Sequence, residues 1–126
     1  MSDHPANILL VGHCIPDAYA IRSALTSMIP LAMIEFARDQ AELHEKLPET
    51  DLLLINRALD GEFDTQDGVE LIRTLAPLAA SKARIMLVSN LPDAQAAAEA
   101  AGALPGFGKR DLYADETRRR LQAALV

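Results

Sequence analysis

His13 and Cys14 stand side by side, and both are residue types that ligate metals, carry protons or act as nucleophiles. Successive strand residues point to opposite faces, so adjacent ligands do not converge on one ion unless the chain turns between them. There is a single Cys, and the other histidines, His4 and His44, fall in the N-terminal tail and in a surface helix. The expectation is therefore a buried thiol and a histidine on a pocket rim, with no metal held. His13 remains a group whose charge changes near neutral pH. Three more polar residues each follow an apolar run: Asn56 after Leu52-Leu53-Leu54-Ile55, Ser89 after Ile85-Met86-Leu87-Val88, and Lys109 after Gly106-Phe107-Gly108. The polar insert from Asp60 to Asp67 adds the carboxylates Asp60, Asp64 and Asp67. Arg118-Arg119-Arg120 is a basic run, read as a helix-end charge that favours the macrodipole rather than as a nucleic-acid contact.

The segments that carry these residues alternate between two patterns. Ile8-Leu9-Leu10-Val11, Leu52–Ile55 and Ile85–Val88 are continuous apolar runs, too short for helix cores, as strands buried on both faces require. Met33-Ile34-Glu35-Phe36 is more polar and belongs nearer an edge, and Gly106-Phe107-Gly108 is a weak fifth strand. Between them lie helical patterns. Pro16 opens one, with Ile21, Leu25 and Met28 on one face and Pro30 beyond. Asp39 with Glu42 three residues on resembles a capping box for the second. Val69, Ile72 and Leu75 mark the third, with Pro77 beyond it, and the alanine-rich stretch Asp93–Ala101 ends at Gly102. The fifth runs from Tyr113 to Leu125. Strand and helix repeated five times predict a parallel sheet, because each right-handed crossover carries its helix over one face. The fold class is α/β, a doubly wound five-stranded parallel sheet.

The chain has 126 residues, enough for one core, so a polar tail at 1–6 and one domain at 7–126 are expected. A net charge of −6 and a pI near 4.9 argue against nonspecific nucleic-acid or anionic-membrane binding. One Cys excludes an intrachain disulfide, and no apolar run spans a bilayer, which fits a cytoplasmic domain.

In open parallel sheets the site lies at the carboxyl ends of the strands. Those ends are Gly12, His13 and Cys14; Asn56 and Arg57; Ser89 and Asn90; and Lys109. At these positions the sequence resembles the receiver domains of bacterial response regulators. The run Ile8–Val11, the stretch Asp51-Leu52-Leu53-Leu54-Ile55-Asn56, the helix opening Asp67-Gly68-Val69-Glu70-Leu71, and Ala101-Gly102-Ala103 before Lys109 carry that resemblance across nearly the whole chain.

The resemblance implies the flavodoxin-like topology (βα)5 with strand order 2-1-3-4-5. It also implies a phosphorylation pocket in two-component (phosphorelay) signalling. There an aspartate after the third strand takes a phosphoryl group from a histidine kinase, two acids after the first strand help to hold Mg²⁺, and a Ser/Thr and a Lys contact the phosphoryl oxygens. Here Asn56 stands at the acceptor position, Gly12 and His13 replace the acidic pair, Ser89 (or Leu87 in an alternative alignment) takes the hydroxyl position, and Lys109 is kept. A carboxamide forms no acyl phosphate, and these residues offer Mg²⁺ little. Asn56 also suits a plain strand-end cap on nearby backbone. The position three before Lys109, often aromatic in the family, is Gly106, and the usual Pro after the Lys is Arg110, for which a trans bond is expected.

The pattern thus implies a degenerate receiver that is not an enzyme, has no cofactor and works by binding a protein partner: a histidine kinase, another regulator or an output protein. The face made by the fourth helix, fifth strand and fifth helix is the first candidate contact and homodimer surface. The alternative is a receiver that is phosphorylated on Asp60 or Asp64 with Mg²⁺. A third is a fragment of a longer chain whose output domain follows. Lys109, deprived of its acidic cluster, is expected to pair with a carboxylate of the insert.

Overall fold

A computed structural model describes residues 5–78 and 83–125. It contains five strands, β1 (Asn7–Val11), β2 (Met33–Ala37), β3 (Leu52–Asn56), β4 (Arg84–Val88) and β5 (Leu104–Phe107), and five helices, α1 (Ile15–Met28), α2 (Gln40–Lys46), α3 (Gly68–Leu78), α4 (Pro92–Ala100) and α5 (Asp115–Ala124). The strands form one parallel sheet in the order β2-β1-β3-β4-β5, as expected, with β2 on an edge.

The period-two alternation of the strands builds two cores. Leu9, Val11, Leu53, Ile55, Ile85 and Leu87 face α2, α3 and α4, where Leu43, Leu71, Ile72, Leu75 and Ala98 meet them. Ile8, Leu10, Leu52, Leu54, Met86 and Val88 face α1 and α5, through Ile21, Leu25, Leu121 and Ala124. Apart from the terminal Asn7, Asn56 and Arg84, the three central strands are apolar throughout because both faces are covered, and each fully buried Leu or Ile is worth roughly 1.5–3 kcal/mol. Strand β2 alternates instead, with Met33 and Glu35 exposed and Ile34 and Phe36 half-buried.

Several boundaries depart from the sequence expectation. Strand β5 starts at Leu104 rather than Gly106, and includes Pro105, which an edge strand tolerates. Pro77 lies inside α3, in its last turn, instead of beyond it. Helix α5 begins at Asp115 rather than Tyr113, because Ala114, its N-cap, is still extended. Arg118, Arg119 and Arg120 therefore sit mid-helix and not at its end. Glu116 pairs with Arg119 and Arg120, and its carboxyl is held below its ordinary value chiefly by the Arg119 hydrogen bond. At α2 the Asp39 carboxylate accepts from Glu42 N at 2.7 Å as a capping box requires, while Glu42 reaches back one residue further, to Arg38 N. No peptide bond is cis among the described residues, so Lys109–Arg110 is trans. His4 lies outside the described residues.

Candidate functional site

The topology brings the ends of β1, β3, β4 and β5 to one edge of the sheet, and α1, α3 and α4 start there. At the end of β1 the chain leaves the strand through Gly12, whose φ of +72° lies in the left-handed region. A Cβ at this position would stand 2.5 Å from Leu59 Cδ2, so the β3–α3 connection is packed directly on it. Leu59 itself is buried. An apolar side chain thus covers the β1 end.

His13 is turned inward rather than onto the rim and is only 8% exposed. Its Nε2 donates to the Leu54 carbonyl at 2.9 Å, which fixes the Nε2–H tautomer, and its buried Nδ1 has no partner. Burial penalises the imidazolium and lowers the pKa from 6.5 to about 4, with the nearby Lys109 charge acting the same way and the Leu54 bond and Asp17 opposing. Cys14 is half-buried, not fully buried, at the N-cap of α1, where its thiol helps to hold the Asp17 carboxyl down.

Asn56 ends β3 with its Nδ2 donating to the Gly12 carbonyl at 3.1 Å and the Ala58 carbonyl at 2.8 Å. The amide ties the β1 and β3 ends together, as the strand-end cap reading describes. Ser89 is the first residue past β4. Its Oγ accepts from Leu91 N at 3.1 Å, closing a local turn into α4. Leu87, the other candidate for that position, lies inside β4 and is fully buried.

Lys109 does not reach the insert. Its Nζ contacts Asp17 Oδ2 at 2.6 Å, across 92 residues of chain, with both side chains about one-third exposed at 35% and 37%. Lys109 is the main reason that the Asp17 carboxyl is held below its ordinary value, and the Cys14 thiol adds to it. Sequence reasoning missed Asp17. The available signal was its place in the first turn of α1, immediately above the strand ends.

The insert runs the other way. Gln40 N donates to Glu62 O and Glu62 N to Arg38 O, Asp64 N is bound by Gln40 Oε1, and Phe63 is buried. Residues 60–64 are thereby stitched to the β2–α2 junction. Asp60 holds the rim through its backbone, Asp60 N donating to Gly12 O at 2.9 Å, while its side chain and that of Asp64 are exposed. Among the described residues no three His, Cys, Asp or Glu side chains converge as a metal-binding group.

No family model matches the chain, and no curated protein matches it. Solved structures resemble it over almost its whole length. A response regulator from Thermotoga maritima superposes with a TM-score of 0.75 at 17% identity, covering 96% of this chain and 98% of that one. The signal receiver domain of a DNA-binding response regulator from Colwellia psychrerythraea 34H gives 0.73 at 19% identity, with 94% and 96% covered. The chemotaxis response regulator CheY4 of Vibrio cholerae gives 0.68 at 18% identity, with 96% and 99% covered. The chain has the flavodoxin-like fold of response regulator receiver domains.

Proposed function

We propose that this chain is a receiver-type signalling module of a two-component pathway whose strand-end pocket no longer performs phosphoryl transfer, and that it acts by binding a protein partner. One observation carries the reading: the acceptor position presents a carboxamide whose NH₂ is committed to the Gly12 and Ala58 carbonyls. Acyl-phosphate formation needs a carboxylate oxygen aimed at the incoming phosphorus, with cationic charge on the equatorial oxygens. Asn56 has no such oxygen, and the ammonium of Lys109 is already neutralised by Asp17.

The residues present do not fit Mg²⁺, which takes carboxylate and water oxygens in near-octahedral array. Gly12 has no side chain, His13 spends its N–H inside the fold, and Leu59 covers the place where an acidic side chain would stand. On this reading the domain holds no cofactor and catalyses nothing. Its partner is a histidine kinase, another regulator or an output protein, and the α4–β5–α5 face is the contact or homodimer surface. Leu91 and Tyr113, 51% and 66% exposed, are apolar anchors beside that face. No described helix is long and apolar enough to cross a membrane.

The test is intact mass after incubation with acetyl phosphate and Mg²⁺, against a Mg²⁺-free control. No added phosphoryl group is expected. A Mg²⁺-dependent adduct would overturn the inactive-pocket reading, and peptide mapping to Asp60 or Asp64 would establish the relocated acceptor in its place.

A further inference from the structure

Strand β5 pairs with β4 through Met86 with Leu104 and Val88 with Phe107, so one residue, Leu87, faces two, Pro105 and Gly106. This is a bulge, and a bulge leaves ladder groups without their regular partners. A buried peptide group without a partner is costly, so something must meet them. Ser89 N to Phe107 O at 2.9 Å closes the ladder beyond the bulge.

Gln95, in the first half of α4, meets the bulge itself. Its Oε1 accepts from Gly106 N at 3.2 Å, and its Nε2 donates to Leu87 O at 2.9 Å and Ser89 O at 3.1 Å, with Phe107 O at the 3.5 Å limit. A single carboxamide therefore serves both strands on either side of the irregularity. Gly106 is shaped for this arrangement. A Cβ there would lie 2.1 Å from Leu87 O, 2.9 Å from Gln95 Oε1 and 3.2 Å from Gln95 Nε2. The carbonyl of the same residue accepts from Arg120 Nη1, which reaches in from α5. Gly106 is thus held from α4 on its N–H side and from α5 on its carbonyl side.

We propose that Gln95 is a latch that clips α4 onto the β4–β5 bulge and, with Arg120, locks α4, β5 and α5 into one arrangement. The apolar contacts of α4 are modest: Ala98 is its one fully buried residue, with Ala94 and Ala97 partly buried. Alanines give a helix little shape to key into a core, so the polar clip sets the position of α4 along the sheet. The inference stands on the geometry of α4, α5, β4 and β5 and does not depend on whether the strand-end pocket is phosphorylated.

Amide hydrogen exchange on the full chain tests it, with wild type compared to Gln95→Ala and to Gln95→Met, which keeps the length of the side chain without its hydrogen bonds. Removing one hydrogen bond of ~1 kcal/mol corresponds to roughly a fivefold change, and the clip makes more than one, so the Gly106 amide should exchange at least about tenfold faster in both variants. The α4 amides should accelerate with it, while those of β1 and β3 stay at the wild-type rate. Unchanged protection at Gly106 in a folded variant would overturn the latch. So would uniform acceleration across the chain, or failure of both variants to fold, because either means that Gln95 supports the whole domain rather than this contact.

Discussion

The buried imidazole of His13 makes the stability of this domain depend on mild acid in a way that can be computed. The unfolded chain takes a proton on His13 near 6.5, whereas the folded chain takes it near 4. Between these values the unfolded state binds more protons, so the free energy of unfolding falls as the pH falls through that window and levels off below it. At about 1.36 kcal/mol per pH unit, the loss from this one group comes to about 2 kcal/mol between pH 7 and pH 5 and about 3 kcal/mol by pH 4. Asp17 contributes in the same sense at lower pH, because its depressed carboxyl is charged in the fold until the pH drops through its folded value.

His13→Gln separates the two. A glutamine carries a neutral N–H donor for the Leu54 carbonyl and does not titrate, so the contributions of carboxylates that do not interact with His13 cancel in the difference between the proteins, and Asp17, which does, enters only as a minor part. Urea denaturation at pH 7, 6, 5 and 4 measures that difference, and wild type should lose about 3 kcal/mol relative to the variant across the series. A difference that stays flat, or an imidazole that titrates near 6.5 in the native protein by NMR, would refute the argument that burial without a partner for Nδ1 excludes the cation.

Other expectations follow from the same edge of the sheet. Asn56→Asp should remain unphosphorylated by acetyl phosphate and Mg²⁺ in an intact-mass assay. It should also unfold about 1–2 kcal/mol more easily, since it loses two donated bonds and sets a carboxylate against the Gly12 and Ala58 carbonyls. Gly12→Ala should cost about 1–3 kcal/mol in chemical denaturation, from a left-handed backbone and a Cβ pressed on Leu59. Adding Leu59→Ala should remove the steric part of that penalty but not the backbone part. A double-mutant cycle on Asp17→Asn and Lys109→Met should return a coupling of only about 0.2–1 kcal/mol, because both groups are about one-third exposed and screened by solvent; a value well above that would mean the pair is far drier than its exposure indicates.

The legible part of the site was its set of positions. Strand ends could be found from where apolar runs stop, and Asn56, Ser89 and Lys109 do lie at or just past the ends of β3, β4 and β5. Their partners were not legible. Lys109 was expected to meet the insert, yet the insert is drawn off to the β2–α2 junction by Gln40, Arg38 and buried Phe63. The acid that lies over Lys109 comes from α1, and its reach depends on how the first turn of that helix leaves β1. His13 was placed on a rim because it follows the first strand, next to Cys14, where neighbouring side chains point opposite ways. It is buried because the Leu54 carbonyl offers its N–H a partner inside. Gln95 carried no signal at all, since its importance comes from a bulge that no periodicity announces.

The order of strands and helices, and the two-faced burial of the sheet, were determined by the chain's own pattern. Unbroken apolar quartets suit only strands covered on both faces, and 3.6-residue periods between them suit only crossover helices, so both can be read within a few residues of each other. The residue types at the strand ends were likewise determined there, including the carboxamide at the end of β3. Tertiary structure decided which charges are neutralised, which ring nitrogen is left without a partner, where the insert lies and what clips α4 to the sheet. These depend on pairings such as Asp17 with Lys109, 92 residues apart, and on one extra residue in β5. Such contacts are set by register and loop path, which become definite only when the sheet has closed.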